Sequence, residues 1–119
     1  FGLAGHALEL ARGAKLQAVI DWATVPLLPG VADMARAGLV TGASGRNWAG
    51  YGQDITLADG ITPLQQALLC DPQTSGGLLV ACAPEAVDRV LDVFRRNGFG
   101  QAAVVGEMAE GKAGVEVLA

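Results

Sequence analysis

Leu69-Cys70-Asp71-Pro72-Gln73-Thr74-Ser75-Gly76-Gly77-Leu78-Leu79 is the most informative stretch of this 119-residue chain. Asp71 precedes a proline, which drives its backbone toward an extended or turn conformation and leaves its carboxylate free for nearby backbone donors. Thr74 and Ser75 add hydroxyls. Gly76 and Gly77 let backbone N–H groups converge without side-chain obstruction, and such nests bind anions. Two readings follow. The segment is either a cradle for phosphate or another oxyanion, or a capped turn that delivers the chain into a strand.

The flanks give this turn its setting. Upstream, Pro63 suits the first turn of a helix running to Leu69. Downstream, the apolar run Gly77 to Cys82 reads as a short strand. Pro84 to Asn97 reads as a helix with Val87, Val90, Leu91 and Phe94 on one face, stopped by Gly98. Ala102 to Met108 follows as a strand, Gly111 to Gly114 as a turn, and Val115 to Leu118 as a last strand.

Toward the beginning, Leu3 to Arg12 reads as a helix closed by Gly13, and Lys15 to Asp21 alternates as a strand. Pro26 and Pro29 interrupt the chain before a short helix at Val31 to Ala37, closed by Gly38. Val40 to Gly60 is rich in glycine and reads as a long irregular loop. Helices and strands mix throughout, with no internal repeat and no linker. A single domain spanning residues 1–119 is expected.

Composition narrows the function classes. About half the residues are apolar, but only six are aromatic, so the core must come from Leu, Val, Ile and Ala. The 17 glycines exceed the usual share of roughly 7% and mark many turns. Net charge is −4 and the eight Lys and Arg are scattered, which argues against a nucleic-acid partner. No apolar run approaches the roughly 20 residues that span a bilayer, so no membrane partner is expected and the cytoplasm is the default. Cys70 and Cys82 lie in apolar segments, are not a CxxC pair, and read as buried reduced thiols. The start at Phe1-Gly2-Leu3, without Met or a polar lead-in, reads as the interior of a longer protein.

Other candidates are weaker. Arg46, in Gly42-Ala43-Ser44-Gly45-Arg46-Asn47, could grip a phosphate through its planar fork or be a solvated loop cation. His6 could act as acid, base or ligand, but no partner is evident. Gly2-Leu3-Ala4-Gly5 is a helix entry, and Asp54, Asp59 and Glu107 read as dispersed, solvent-facing carboxylates.

Three strings occur here in the order found in selenophosphate synthetases (selenide, water dikinases), and the chain resembles that family throughout. They are Phe1-Gly2-Leu3-Ala4-Gly5-His6, Ser44-Gly45-Arg46-Asn47, and the eleven residues from Leu69 to Leu79, with Val104-Val105-Gly106-Glu107 similar to the family's closing strand. The resemblance implies the carboxy-terminal domain of an aminoimidazole ribonucleotide synthetase-like enzyme. The expected fold is α+β, a mixed, partly ferredoxin-like sheet covered by layers of helices. The implied reaction converts ATP, selenide and water to selenophosphate, AMP and phosphate with Mg²⁺, in a homodimeric parent enzyme.

The resemblance places the nucleophilic Cys or selenocysteine, the catalytic Lys and most metal-binding Asp residues in an amino-terminal domain, on which this one would pack. Cys70 and Cys82 do not match that nucleophile. The chain alone is expected to be inactive, and to expose a large apolar patch where the other domain sits. Arg46, Asn47, Asp71, Thr74, Ser75, Gly76 and Gly77, with His6 as a weaker addition, are the candidates for the phosphate or selenide end of the site. Two alternatives stay open: a purely structural packing domain, and a same-fold ATP-dependent enzyme acting on another substrate.

Overall fold

A computed structural model describes all of residues 1–119. In chain order the elements are α1 (Gly2–Ala14), β1 (Gln17–Asp21), α2 (Val31–Arg36), α3 (Gly42–Tyr51), β2 (Ile55–Leu57), α4 (Pro63–Leu69), α5 (Val87–Arg96), β3 (Gly106–Ala109) and β4 (Gly114–Leu118). Short 3₁₀ turns occupy Trp22–Thr24, Gly52–Asp54 and Pro84–Ala86. The fold is α+β, and its four-stranded sheet has the order β2-β4-β1-β3.

The sheet is mixed: β4 runs parallel to both β1 and β2, whereas β3 runs antiparallel to β1. β3 and β4 therefore flank β1 in opposite directions. The four residues joining them cross the start of β1, where Gln17 pairs with Ala109 on one side and Gly114 on the other. Register aligns Ile55, Val115, Ala18 and Met108 across the sheet. The next row aligns Thr56, Glu116, Val19 and Glu107. Because side chains alternate faces, the first row faces the core and the second faces outward.

The core lies between the sheet and α1. Ala4, Ala7, Leu8 and Ala11 are buried on one stripe of α1 and meet Ala18, Ile20, Val115 and Val117. Small side chains on α1 allow it to lie close to the strands, as expected for a core poor in aromatics. α3 and α4 pack behind α1 and against each other, and α2 packs on α4. α4 begins as its residues dictate, with Pro63 in the first turn and a reciprocal capping box between Thr62 and Gln65.

Several sequence expectations change. Val40 to Gly60 is not an irregular loop but contains α3 and β2. The helix is capped by the Thr41 hydroxyl at the Ser44 amide, and tertiary packing of Ser44 and Tyr51 overrides the glycines' poor helix propensity. α1 extends past Gly13 and is closed by Lys15, a non-glycine residue in the left-handed region at φ 58°. Asp54 is not a free surface carboxylate, since it accepts from Arg12 at 2.7 Å.

The largest change concerns residues 73–105. Gly77 to Cys82 forms no strand, because no neighbouring strand pairs with it, and Leu78 stays 80% exposed. Cys82, expected to be buried, is exposed for the same reason. The strand expected from Ala102 begins only at Gly106, where pairing with β1 starts. α5 starts at Val87, after a 3₁₀ turn, and none of its residues is fully buried. Large apolar side chains are exposed along this segment, among them Leu78, Val80, Phe99 and Val104.

Candidate functional site

The Asp71–Gly77 turn leaves α4, through Cys70, at the point where α1 begins. Gly2 is at φ +73°, and a β-carbon there would lie 2.6 Å from the Cys70 carbonyl carbon and from the Leu69 carbonyl oxygen. Only glycine combines that conformation with that approach. The start of α1 is thus seated directly on the backbone from which the turn departs.

α3 secures both segments. The Asn47 side-chain amide donates to the Cys70 carbonyl at 2.9 Å, and one turn later the Tyr51 hydroxyl donates to the Phe1 carbonyl. Residues four apart share a helix face, which is why one helix reaches both. Ser44, Asn47, Trp48 and Tyr51 form that inward face, with Ser44 and Tyr51 buried and the other two half-buried.

Electrostatics at this junction favour neutral groups. Burial pushes the Tyr51 phenol well above its ordinary range, reinforced by the neighbouring Cys70 thiol. Burial likewise pushes the Cys70 thiol up, opposed in part by the Tyr51 hydroxyl. A thiol held neutral and 1% exposed is a poor nucleophile. Cys70 is a packing residue here.

The turn itself is open. Thr74, Ser75, Gly76 and Gly77 are exposed, Asp71 is half-buried, and the Asp71 amide closes the helix end by donating to Leu68. From residue 73 to residue 82 no backbone N–H donates to a protein acceptor. These amides are available to an external acceptor, as an anion cradle requires.

The remaining candidates lie on α1 and α3. Arg46 neighbours Asn47 but is exposed and makes no ion pair within the chain. His6 is exposed, with its ring edge-on to Phe1 at 6.4 Å. Asn47 directs its side-chain N–H to the Cys70 carbonyl, at the base of the turn. Sequence reading missed Tyr51 as a junction residue, although the spacing from Ser44 through Asn47 to Tyr51 carried the signal.

No set of three His, Cys, Asp or Glu side chains is gathered to hold a metal ion. The residues present do not fit a magnesium centre. No buried side-chain nitrogen or oxygen lacks a partner. A separate groove between α2 and α4, lined by Trp22, Leu27, Leu64 and Leu68, includes none of the candidates. No helix is long and apolar enough to cross a membrane.

Comparison with known proteins finds relatives along almost the whole chain. The chain is 65% identical over 117 residues to the selenide, water dikinase of Burkholderia cenocepacia, covering 98% of this chain and 33% of that protein. It is 52% identical over 118 residues to the selenide, water dikinase of Dechloromonas aromatica, covering 99% of this chain and 34% of that protein. The corresponding Rhizobium meliloti protein is 46% identical, again with 99% of this chain and 34% of the relative covered. The chain therefore spans about a third of the length of the curated relatives it matches. Residues 1–118 match the family described as AIR synthase related protein, C-terminal domain, and the chain belongs to that family.

Proposed function

We propose that this chain is the carboxy-terminal domain of a cytoplasmic, homodimeric selenide, water dikinase, which makes selenophosphate, AMP and phosphate from selenide, ATP and water. The observation that carries the reading is the 65% identity to a selenide, water dikinase across almost the whole chain. Free amides in the Asp71–Gly77 turn support it, because unpaired N–H groups on glycine-rich backbone can donate to an oxyanion.

In this reading the turn forms one wall of the phosphate end of the active site. The amides of residues 73–77 and the Thr74 and Ser75 hydroxyls donate to non-bridging phosphate oxygens. Gly76 and Gly77 keep the approach clear of side chains, and Arg46 supplies a cation. Fixed donors aimed at developing negative charge lower the barrier without reorganising during the reaction. The nucleophile, the catalytic lysine and the residues that would hold Mg²⁺ belong to the amino-terminal domain, from which the metal would supply charge neutralisation.

Reconstitution tests this. The chain alone should form no AMP, whereas one polypeptide joining it to the amino-terminal two-thirds of the Burkholderia cenocepacia relative should form AMP from ATP only when selenide is present. Turnover by the isolated chain, or a folded but inactive fusion, would contradict the reading. Thr74→Ala and Arg46→Ala in the fusion should each lower kcat by roughly tenfold or more, as loss of one transition-state donor does. Thermal stability should be unchanged.

A further inference from the structure

We propose that Asn47 and Tyr51 are positioning residues that set the angle at which the Asp71–Gly77 turn is presented, by tying its base to the start of α1. The inference rests on the function proposed above for that turn, and it deepens that reading by giving α3 a role in the reaction.

Four observations converge. Asn47 donates to the carbonyl of Cys70, the residue immediately before the turn. Tyr51 donates to the carbonyl of Phe1, immediately before α1. Gly2 leaves no space between α1 and the Cys70 backbone. A β-carbon on Gly5 would lie 3.1 Å from the Tyr51 ring, so the aromatic ring is seated on α1 as closely as its hydroxyl implies.

Beyond this clamp the next anchor is Leu79, two residues past the turn, which packs half-buried against the core. Past Asp71, no backbone amide through residue 82 finds a protein acceptor. The free amides lie between these two anchors, so their direction is set on the helix side by the Cys70 peptide, and that peptide is fixed from α3. A side-chain amide suits this role. It is uncharged, so it can sit half-buried, and its planar N–H holds the carbonyl in direction as well as distance. Asn47 thus acts on substrate through the turn rather than by touching it.

The experiment uses the full-length fusion and the variants Asn47→Ala, Asn47→Asp and Tyr51→Phe, each alone and combined with Thr74→Ala. Asn47→Ala and Asn47→Asp should lower kcat by about tenfold, the factor that corresponds to losing one directed hydrogen bond. KM for ATP should change by less than about twofold, because the clamp does not touch substrate. Combined with Thr74→Ala, either should add little further loss, because both act through one turn and such sites are non-additive. Tyr51→Phe should follow the same pattern more weakly.

A loss of melting temperature with kcat unchanged in the folded variant overturns the proposal, and so do losses that multiply in the double variant. Amide exchange at Cys70 and Asp71, which donate to Gln66 and Leu68, reads the clamp without turnover. It should accelerate about tenfold in Asn47→Ala. If the parent fusion makes no selenide-dependent AMP, the functional reading fails while exchange still reports on the clamp. Unchanged exchange refutes the clamp itself.

Discussion

Replacing Gly106 with alanine tests the sheet register most severely. A β-carbon at that position would lie 1.9 Å from the Val19 carbonyl oxygen and 2.9 Å from its carbonyl carbon. Both are backbone atoms of β1, so no rotamer change relieves the contact. The strands must separate by roughly 1 Å, which pushes hydrogen bonds out of their usual range of about 2.7–3.2 Å at that end of the ladder. Gly106 pairs with Ile20 in a register only four residues long, and the Asp21 amide donates to the adjoining Val105 carbonyl. Losing two or three backbone bonds at about 1 kcal/mol each gives a cost of about 3 kcal/mol. For a domain of this size that lowers the melting temperature by about 12 °C. Circular dichroism during heating measures it directly. Gly13→Ala is the matched control: nothing lies within 4 Å of its added carbon, and the helix should gain up to about 1 kcal/mol. A Gly106→Ala protein melting within about 3 °C of the parent, or a Gly13→Ala protein falling as far as the roughly 12 °C expected for Gly106→Ala, would refute the register argument.

Three further outcomes are expected. Cys82 should react with a thiol reagent in the native chain while Cys70 reacts only on unfolding, so two fast thiols would contradict the packing around Tyr51. Stability should be insensitive to Tyr51 and Cys70 below their ordinary values of 10.0 and 9.0 and should decline as pH rises past them. Both are held neutral in the fold, so the unfolded chain releases these protons first and is favoured in alkali. Tyr51→Phe should reduce that alkaline loss, which urea titrations at about pH 7 and about pH 10.5 would detect. Limited proteolysis should cut within residues 73–105 before any cut in α1, because α5 has no buried residue and a ten-residue helix without packing is marginal.

What the residues disclosed in advance depended on how local the determinant was. α4 was legible because Pro63 suits a helix's first turn, and the Thr62–Gln65 capping box that completes the start is equally local. β4 was legible from its alternation, with Val115 and Val117 inward and Glu116 outward. α3 was hidden because Gly42, Gly45 and Gly50 argue for a loop, and only burial of Ser44 and Tyr51 against other helices outweighs them. The opposite error fell on Gly77 to Cys82. Its apolar residues suit a strand, yet a strand exists only where another pairs with it, and that is not a local property. The Asp71–Gly77 turn was visible as a candidate from its residue types. The clamp that aims it was not, since Asn47 and Cys70 are 23 positions apart and nothing in either residue names the other.

The placement of β4 between β1 and β2 bears on the order in which the protein can assemble during synthesis. Its two partners leave the ribosome well before it does, and neither pairs with the other. Until residues 114–118 emerge, Ile55 to Leu57 has no strand beside it, and of the sheet only β1 is in place against the apolar stripe of α1. Val115 and Val117, both essentially inaccessible, fill the middle of that stripe last. The nascent domain should therefore stay incompletely closed and dependent on chaperones until these residues are added, and its folding rate should be governed by one late, long-range pairing step.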